Sequence, residues 1–561
     1  MSIEYYLGDW FYNIGIVGLL RILRFNNVGE DEYTVDDNCL KLDEQILDNF
    51  AEYYFNYFFS VYDNTENLVG LIDNTTDKID KSETDEIGKA IKDVVAGFKK
   101  YENTVKNTSF TDEYGSLYSD INAISKSIKS NNSEVMLNQA SATLKDIKAF
   151  ITREAIRKKR AANISRSALS EFFGQASFLN PSFKGAYAED FVQKMNDDYV
   201  EPVKLKYSEK APALKVTYNC SICSRATNGK THFDEAMFAP LGLSLTQNSN
   251  YLWNQVTIMP ICEECRLLLM CTPAGCTPIT KTRIVNDELQ NYREYNFVNL
   301  DTDINGLFTI NENFRQRSDY SNPYKELILD IVTKTEQKAR WTLQSIFFIE
   351  FHVENKSTTL HYFSIPPYKA SFLVNKQTHY LLEHIRPRRF QMDVLEDILA
   401  DKDIIISATQ ELRYYMQKKE GRIKVDVGDT VSCFNAIQLR YLLKGFRKGW
   451  SKVNTRIINE AFEYGKELNR YYISNDAVNK VNSIGYKMLN AVKVGDKDEF
   501  MDNLLRTCMS IQKPIPELFL NVLSEQKADF EDIALAFISG FIAAPAVMST
   551  EENNNNNQEV K

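Results

Sequence analysis

Most of the short motifs that mark enzyme active sites are missing from this sequence. It contains no GxxxxGK[ST] phosphate-binding loop, no HExxH motif and no GxSxG nucleophile elbow. Histidine is scarce, with five residues in 561, and none of them is followed by aspartate, which disfavours a common nuclease metal motif. Together these absences favour a chain that binds or organises other molecules over one that catalyses a reaction.

A long uninterrupted apolar run is missing as well. The most apolar stretch, residues 533–548, is shorter than the roughly 20 residues that span a bilayer, and it contains Pro545. The apolar segment near the N-terminus is interrupted by Arg21 and Arg24, and no signal peptide is visible. We therefore expect a soluble, cytoplasmic protein with no membrane partner.

The chain also has no excess of basic residues. Its formal net charge is -10, whereas a protein that binds nucleic acid on its own is usually basic. The global charge therefore argues against a self-sufficient nucleic-acid-binding protein. Local basic faces within a larger assembly stay open, because only the surface near the phosphates has to be positive.

Cysteine is present in an odd number, nine residues, which does not suit a disulfide framework. In a reducing compartment, paired cysteines more often bind metal. Two CxxC pairs occur here, Cys220/Cys223 and Cys262/Cys265, with roughly forty residues between them. Four thiolates arranged as two such knuckles form a common structural zinc shell. The sequence therefore predicts one structural zinc ion bound by these four residues.

Other interpretations of the cysteines stay open. The thiols could be free, or one pair could be a redox dithiol, although a redox CxxC normally stands once in a βαβ unit. Cys271, Cys276 or His232 could replace one of the four ligands. A closed shell of four cysteines leaves no coordination position for water, so we expect the ion to stabilise the fold and not to catalyse.

The expected fold class is α+β and mostly helical, with a mixed N-terminal part, an inserted zinc-ribbon module and a C-terminal helical bundle. The strand composition of residues 341–353 and 358–365, joined by a polar turn, predicts a β-hairpin. Bundle helices are expected to begin near Gln391, Asp401, Asn435, Asp476, Asp496 and Ile515. The predicted divisions are a mainly helical region at 1–213, the zinc-ribbon-like module at 214–280, a mixed region at 281–390, the bundle at 391–549 and a disordered tail at 550–561.

A basic stripe in the C-terminal bundle is the most informative charge pattern. Its cations recur every three to four residues, which places them on one exposed helix face opposite an apolar face. They are Arg440, Lys444, Arg447, Lys448, Lys452 and Arg456. Such a face can follow a phosphate backbone, or it can be an ordinary solvated surface, and the pattern alone does not choose.

Two further basic clusters are weaker candidates for nucleic-acid contacts. Solvated surface is the commoner explanation for charge runs of this kind. The clusters are Arg157, Lys158, Lys159 and Arg160 in one helix, and Arg386, Arg388 and Arg389 before the bundle. Two histidines, His352 and His361, fall on the proposed hairpin, where packed or surface histidines are expected.

The sequence resembles the CRISPR-associated CXXC-CXXC family, the large subunit of the type I-B CRISPR interference complex, Cascade. The resemblance is carried by the block GDWFYNIGIVGL at residues 8–19, by CSIC at 220–223 and CEEC at 262–265, and by the helical C-terminal third. It implies a non-enzymatic subunit that recognises the protospacer-adjacent motif (PAM) on target DNA. Such a subunit also holds the displaced strand and helps recruit the helicase-nuclease in antiviral defence.

The resemblance also implies a set of partners. These are the guide CRISPR RNA, target double-stranded DNA with its displaced single strand, other Cascade backbone subunits and the helicase-nuclease. A small subunit made from an internal start in the same gene is a further expectation, with Met416 as the candidate start. The competing classes are a metal-dependent nuclease with an unrecognised site and a purely structural scaffold.

The resemblance does not show which residues recognise the PAM. Amide side chains in the long spacer of the cysteine module are suited to base edges. We take Gln247, Asn248 and Asn250 as candidates, against the alternative of a polar turn without function.

Overall fold

The computed structural model describes most of the chain. The described residues are 2–29, 31–81, 84–106, 108–127, 134–173, 179, 191–208, 217–228, 259–285, 288–318, 323–332, 336–354, 357–422, 426–449, 453–475, 477–520 and 529–543. The tail predicted at 550–561 lies outside them. The chain divides into two compact units, one of residues 1–318 and 348–362 and the other of residues 319–347 and 363–561. The five sequence-based divisions stay a prediction.

Unit 1 begins with a small antiparallel sheet and a buried helix. Its first elements are β1 (Ser2–Tyr6), α1 (Trp10–Phe25), β2 (Tyr33–Asp36) and β3 (Cys39–Asp43), with strand order β1-β3-β2. Asp9 caps α1 by accepting hydrogen bonds from two backbone amides of the first turn. Nearly every side chain of α1 is buried, so this helix is a central core element of the unit.

A layer of amphipathic helices follows. The helices are α2 (Ile46–Tyr62), α3 (Thr65–Asp80), α4 (Thr84–Lys99), α5 (Glu102–Val105), α6 (Thr111–Ser127), α7 (Glu134–Ile151) and α8 (Glu154–Leu169). Apolar residues of α3 to α8, such as Ile91, Phe98, Ile147 and Phe150, meet in one buried cluster. The faces of these helices that are exposed to water are polar, and this accounts for the low hydropathy of this part of the chain.

The elements that hold the cysteines come next in unit 1. They are α9 (Phe191–Met195), a π-helical turn (Asn196–Val200), α10 (Glu201–Tyr207), β4 (Thr217–Asn219), β5 (Ala226–Asn228), α11 (Glu263–Met270) and α12 (Thr272–Gly275). Strands β4 and β5 form a two-stranded antiparallel sheet. Helices α11 and α12 are buried against α1, so the second half of the cysteine module is part of the core of unit 1.

A four-stranded sheet completes unit 1, with the order β6-β7-β8-β9. The chain forms β6 (Thr277–Val285), β7 (Glu288–Leu300) and α13 (Ile304–Arg315), then α14 (Pro323–Val332) and α15 (Glu336–Ser345), then β8 (Ile346–Glu354) and β9 (Ser357–Ser364). Helices α14 and α15 belong to unit 2. The predicted hairpin is therefore present as β8 and β9.

The predicted start of the hairpin at residue 341 is wrong, because residues 341–345 are helical. Ala339 and Leu343 lie four residues apart and are fully buried, while Trp341 between them is 51% exposed. Burial every four residues is the helical period. The apolar composition of the segment concealed that period, and the strand begins only at Ile346.

Unit 2 is a helical bundle. Its further helices are α16 (Pro367–Leu373), α17 (Lys376–Glu383), α18 (Arg388–Leu399), α19 (Ile405–Lys419), α20 (Thr430–Arg447), α21 (Arg456–Ser474), α22 (Val478–Val494), α23 (Lys497–Ser510) and α24 (Phe530–Phe541), with a 3₁₀ turn at Glu517–Phe519. Helix α24 is buried on all sides and packs against α20, α21 and α22. The α+β fold class and the helical C-terminal part predicted from the sequence are confirmed.

Candidate metal centre

The first cysteine pair lies in the turn between β4 and β5. The backbone N–H of Cys220 donates to the carbonyl of Arg225 at 2.8 Å, and the N–H of Ser224 donates back to the carbonyl of Cys220 at 2.9 Å. Ser224 takes a left-handed conformation with φ of 60°, which lets the chain reverse within a few residues. This tight turn brings the sulfur atoms of Cys220 and Cys223 to the same side.

The second pair lies at the start of α11. Cys262 is the N-cap residue, and its Sγ accepts a hydrogen bond from the N–H of Cys265 at 3.5 Å. Both sulfurs therefore lie where the helix dipole is positive, which favours the thiolate form that a metal requires. Cys265 follows Cys262 by three residues, so the two lie on the same side of the helix and their sulfur atoms point towards the same position.

Hydrogen bonds between Ser221 and Pro260 hold the two cysteine pairs together. Ser221 donates two hydrogen bonds to the carbonyl of Pro260, one from its backbone N–H and one from its Oγ, each at 2.9 Å. As a result, the four sulfur atoms of Cys220, Cys223, Cys262 and Cys265 all lie within 4.8 Å of one another.

The sulfur distances suit a metal shell and not a disulfide. Cys223 Sγ and Cys262 Sγ are 3.4 Å apart, whereas a disulfide bond is about 2.05 Å long. A tetrahedral zinc site with bonds of about 2.3 Å separates its sulfurs by about 3.8 Å. The four cysteines can therefore hold one metal ion, and a shell of four thiolates is a common structural site for zinc.

The alternative ligands considered from the sequence do not join this group. Cys271 and Cys276 are buried, and neither belongs to the group of four. Burial raises the pKa of both thiols, as expected for cysteines that pack as small apolar residues. His232 lies outside the described residues.

The four thiols influence one another strongly. Hydrogen bonding, first from Cys223, lowers the pKa of Cys220, while hydrogen bonding with the ionised Cys220 raises the pKa of Cys262. Four sulfurs this close together cannot all ionise unless a positive charge balances them. A divalent cation in the middle of the group supplies that charge.

A buried carboxylate behind the cysteines was not predicted from the sequence. Glu264, between the two cysteines of CEEC, accepts hydrogen bonds from Lys206 Nζ at 2.7 Å and from Tyr207 Oη at 2.8 Å, and Arg225 lies 3.9 Å away. Burial alone would raise the pKa of Glu264, but the hydrogen bonds outweigh burial and the pKa is lowered. This network links α10, the first knuckle and α11 into one block. Two consecutive acidic residues at the start of a helix were the available signal.

The N-terminal block that carries part of the family resemblance packs directly on this centre. Tyr12 Oη lies 3.9 Å from Cys265 Sγ, and Tyr5 Oη donates to the carbonyl of Glu264 at 3.2 Å. Arg21 donates to the carbonyl of Ala274 in α12 and pairs with Glu312 at 2.6 Å. The cysteine centre therefore connects β1 and α1 with the segment that follows CEEC.

The predicted basic stripe is not one exposed helix face. Helix α20 ends at Arg447, Gly449 takes a left-handed φ of 80°, and a new helix begins at Arg456. A left-handed glycine after the last turn ends a helix. The prediction of a single continuous stripe from Arg440 to Arg456 is therefore wrong.

The first two cations of the stripe form ion pairs with carboxylates inside unit 2. Arg440 has only 9% of its side chain exposed and pairs with Asp403 at 2.5 Å and with the fully buried Asp532. Lys444 pairs with Asp529 and, at 3.0 Å, with Asp532. The expectation that Arg440 is exposed is wrong, because α24 covers it and neutralises it with an acidic first turn.

The remaining cations of the stripe lie at the surface. Arg447 is 54% exposed and pairs with Asp401 at 2.7 Å, and Arg456 is 81% exposed and pairs with Glu460 at 2.6 Å. Lys448 is exposed at the end of α20. Lys452 lies outside the described residues. Exposed ion pairs are weak and exchange readily with other anions.

The other basic candidates are mostly paired. Arg157 holds Asp63 at 2.7 Å, Lys158 pairs with Glu154 at 2.7 Å, and Arg160 donates to the carbonyl of Lys100 at 2.7 Å, while Lys159 is exposed. In unit 2, Arg386 donates to the carbonyls of Glu383 and Ile385, Arg388 pairs with Glu326, and Arg389 pairs with Glu411 at 2.6 Å. The candidates for motif reading, Gln247, Asn248 and Asn250, lie outside the described residues.

Residues 213–277 match a family model described as CRISPR-associated protein (Cas_CXXC_CXXC). The matched segment contains both CxxC pairs, so the predicted resemblance to the CXXC-CXXC family is confirmed there. The match does not extend to residues 8–19 or to the C-terminal third, and the type I-B assignment stays a prediction. Comparisons with curated proteins and with solved structures returned no match. In the part of the chain that the structure describes, no helix is both long and apolar enough to cross a bilayer.

Proposed function

We propose that this chain, a CRISPR-associated protein of the CXXC-CXXC family, is the non-catalytic large subunit of a type I-B Cascade surveillance complex. In that role it recognises the protospacer-adjacent motif on target DNA, supports R-loop formation by holding the displaced strand, and helps recruit the helicase-nuclease. The observation that carries the proposal is the convergence of four cysteine sulfurs within the segment that matches the family.

The chemistry of the cysteine centre supports a binding role over a catalytic one. Four thiolates fill a tetrahedral shell, so a zinc ion there has no open position for water or substrate. Its contribution is to stabilise the block formed by the two knuckles, Tyr12 and the Glu264 network. We therefore propose that one zinc ion binds here and that its role is structural, in keeping with a non-catalytic subunit.

The proposed partners follow from the complex. They are the guide CRISPR RNA, target double-stranded DNA with its displaced strand, the other backbone subunits and the helicase-nuclease, all in the cytoplasm. In such complexes the pairing of guide and target carries most of the sequence specificity, and protein reads only the short adjacent motif. An acidic chain suits this division of labour, because the guide RNA and the other subunits supply much of the binding energy.

A small subunit from an internal start is part of the proposal. Met416, the candidate start, lies in the last turn of α19 and its side chain is fully buried. A product that begins there would keep α20 to α24 but lose most of α19, including Glu411, which accepts hydrogen bonds from Arg389 and from the N–H of Gly428. Western blotting with an antibody against α24 checks for the shorter product when the gene is expressed from its native coding sequence.

Contacts to nucleic acid are proposed for the surface cations of unit 2. Arg447, Lys448 and Arg456 lie at the surface around the end of α20 and the start of α21. The ion-pair partners of the two arginines, Asp401 for Arg447 and Glu460 for Arg456, are about half exposed, so a phosphate can displace them at small cost. Arg440 and Lys444 are left out, because the buried Asp532 already holds both.

The test is purification of the chain with and without its proposed complex. Co-expressed with the other subunits and a guide array, the tagged chain should retain a short guide RNA and bind duplexes that carry the adjacent motif more tightly than duplexes without it. The purified chain should not cleave single-stranded DNA when Mg²⁺ or Mn²⁺ is added. Absence of guide RNA from the purified complex would contradict the proposal, and metal-dependent cleavage would favour the nuclease alternative.

A further inference from the structure

Helix α17 of unit 2 carries two aromatic rings that stack on each other at the surface. The ring centroids of Tyr380 and His384 are 4.1 Å apart, and the ring planes are tilted by 32°. Tyr380 is 59% exposed, and His384 is exposed as well. Because His384 covers one face of the tyrosine ring, the exposed area of that ring lies on its other face and its edge. Tyrosine is enriched where a protein contacts a partner.

The sequence of α17 places the two rings on its outer face. Leu381 and Leu382 are buried and attach the helix to the bundle. Lys376, Tyr380 and His384 recur every four residues and are all exposed, so they form one row along the helix. The row therefore combines a cation with a stacked pair of rings.

Hydrogen bonds hold the C-terminal end of this row against α20. The N–H of Arg386 donates to Ser432 Oγ at 3.0 Å, and Asn435 Nδ2 donates to the carbonyl of His384 at 3.4 Å. His384 Nδ1 lies 2.7 Å from the carbonyl oxygen of Tyr380, and it donates there because a carbonyl only accepts. The imidazole is therefore held in place beside the tyrosine ring, as a preorganised binding surface requires.

The cations beside the rings are not neutralised by carboxylates. Arg386 is exposed, and its guanidinium donates to two backbone carbonyls, which carry no net charge. The structure describes no carboxylate within ion-pair distance of Arg386 or Lys376. Glu383, the acidic residue of α17, lies 3.4 Å from His379. Two positive charges beside the stacked rings are thus available to an anion.

We propose that the Tyr380–His384 pair is a stacking platform for an unpaired base of a single-stranded nucleic acid, with Lys376 and Arg386 holding the flanking phosphates. Every base has a face that stacks on an aromatic ring, and a positive surface beside the ring follows the backbone. An acidic peptide would use the two cations and leave the open ring face unused. An apolar partner would bury the cations without an anion, which is costly.

This platform is separate from the surface cations proposed above to contact nucleic acid. Ser432, which holds Arg386, and Arg447 lie at opposite ends of α20, about 22 Å apart at 1.5 Å per residue. The inference rests on the proposed function for the source of the strand. It adds a contact to the bases, whereas Arg447 and its neighbours contact phosphates.

The test is a titration of the purified, zinc-loaded chain with short oligonucleotides that contain 2-aminopurine, whose fluorescence falls when the base stacks. One arm uses single-stranded DNA, a second uses RNA of the same sequence, and a third uses the matching DNA duplex. Tyr380→Ala should weaken binding of the preferred single strand about five- to 150-fold, the usual range for loss of one stacked base, while Tyr380→Trp should retain it. Lys376→Gln with Arg386→Gln should lower the salt slope of log K by about 1.4.

A matched control separates the platform from an ordinary surface tyrosine. Tyr471→Ala removes an exposed tyrosine of α21 whose ring contacts Tyr472, and it should leave binding unchanged. Circular dichroism shows whether each variant folds. The inference fails if the native chain binds the duplex as tightly as both single strands, or if folded Tyr380→Ala binds them as tightly as the native chain.

A protein partner is the competing occupant of this face. If Tyr380→Ala releases another subunit from the assembled complex and leaves oligonucleotide binding unchanged, the face docks protein and the inference is wrong. Retention of guide RNA by the complex, which tests the proposed function, is measured separately. The two proposals can therefore fail independently.

Discussion

Gly18 of α1 lies against the carbonyl oxygen of Cys271, so closely that a Cβ atom at Gly18 would overlap with that oxygen. The reciprocal contact is as tight, because a Cβ at Gly275 of α12 would overlap with the carbonyl oxygen of Ile14. Helix α1 and the segment after the second CxxC pair therefore meet backbone to backbone. The cysteine centre is fixed on one side by its own turns and on the other by this contact.

Gly18→Ala should destabilise unit 1 for this reason. The added methyl group meets backbone, which cannot rotate away, and overpacking of a core contact costs about 1–3 kcal/mol or more. Gly115→Ala in α6 is the matched control, because a Cβ there meets nothing within 4 Å. It should be neutral or stabilising by roughly 0.5–1 kcal/mol. Chemical denaturation checks both, and equal midpoints for the two variants would show that the contact is not tight.

Removal of one cysteine ligand should release the metal. Cys262→Ser should lower the zinc content from one ion per chain to nearly none and destabilise unit 1, because the remaining buried thiols lose their shared cation. Cys39→Ser is the matched control, since Cys39 is a buried cysteine of β3 outside the group of four. It should keep one zinc ion. Elemental analysis of the purified variants measures the difference, and full zinc in Cys262→Ser would refute the assignment.

Arg440→Met should weaken the bundle far more than Arg447→Met. Loss of Arg440 leaves Asp532, whose side chain is fully buried, without its main guanidinium partner, and breaking a buried pair costs about 3–5 kcal/mol. Arg447 and Asp401 are each about half exposed, and such pairs contribute about 0–1 kcal/mol. Hydrogen exchange in α20 and α24 reports on the bundle separately from unit 1. Equal protection in both variants would count against a structural role for Arg440.

The part of the candidate site that could be predicted from sequence is the part built by local geometry. Each CxxC pair places its own two sulfurs, so Cys220, Cys223, Cys262 and Cys265 stood out by spacing alone. The Glu264 network did not, because Lys206 and Tyr207 lie more than fifty residues from it in the chain. Only the tertiary fold brings those side chains together.

The fold shows the same division. The starts predicted near Gln391, Asp401, Asp476 and Asp496 lie within four residues of the starts of α18, α19, α22 and α23, because apolar periodicity and capping residues are local signals. The start predicted near Asn435 is five residues late, the one near Ile515 meets only the 3₁₀ turn, and α21 was not predicted as a separate helix. The spacing of the charges was misleading for Arg440. Cations recur at helical intervals both on a helix face exposed to water and on one that pairs with a buried carboxylate. The acidic turn that covers it, Asp529 and Asp532, is about ninety residues away and invisible to any local pattern.

Removal of two surface charges tests the proposed contact with the displaced strand. Arg447→Gln with Lys448→Gln should weaken single-stranded DNA binding by the assembled complex and lower the salt slope of log K by about 1.4, since each phosphate contact contributes about 0.7. Arg470→Gln with Arg506→Gln removes the same net charge from exposed positions of α21 and α23 and should leave that slope unchanged. Filter binding over a range of salt concentrations measures it. If both pairs lower the slope equally, the effect is one of net charge, and the end of α20 has no special place in holding the strand.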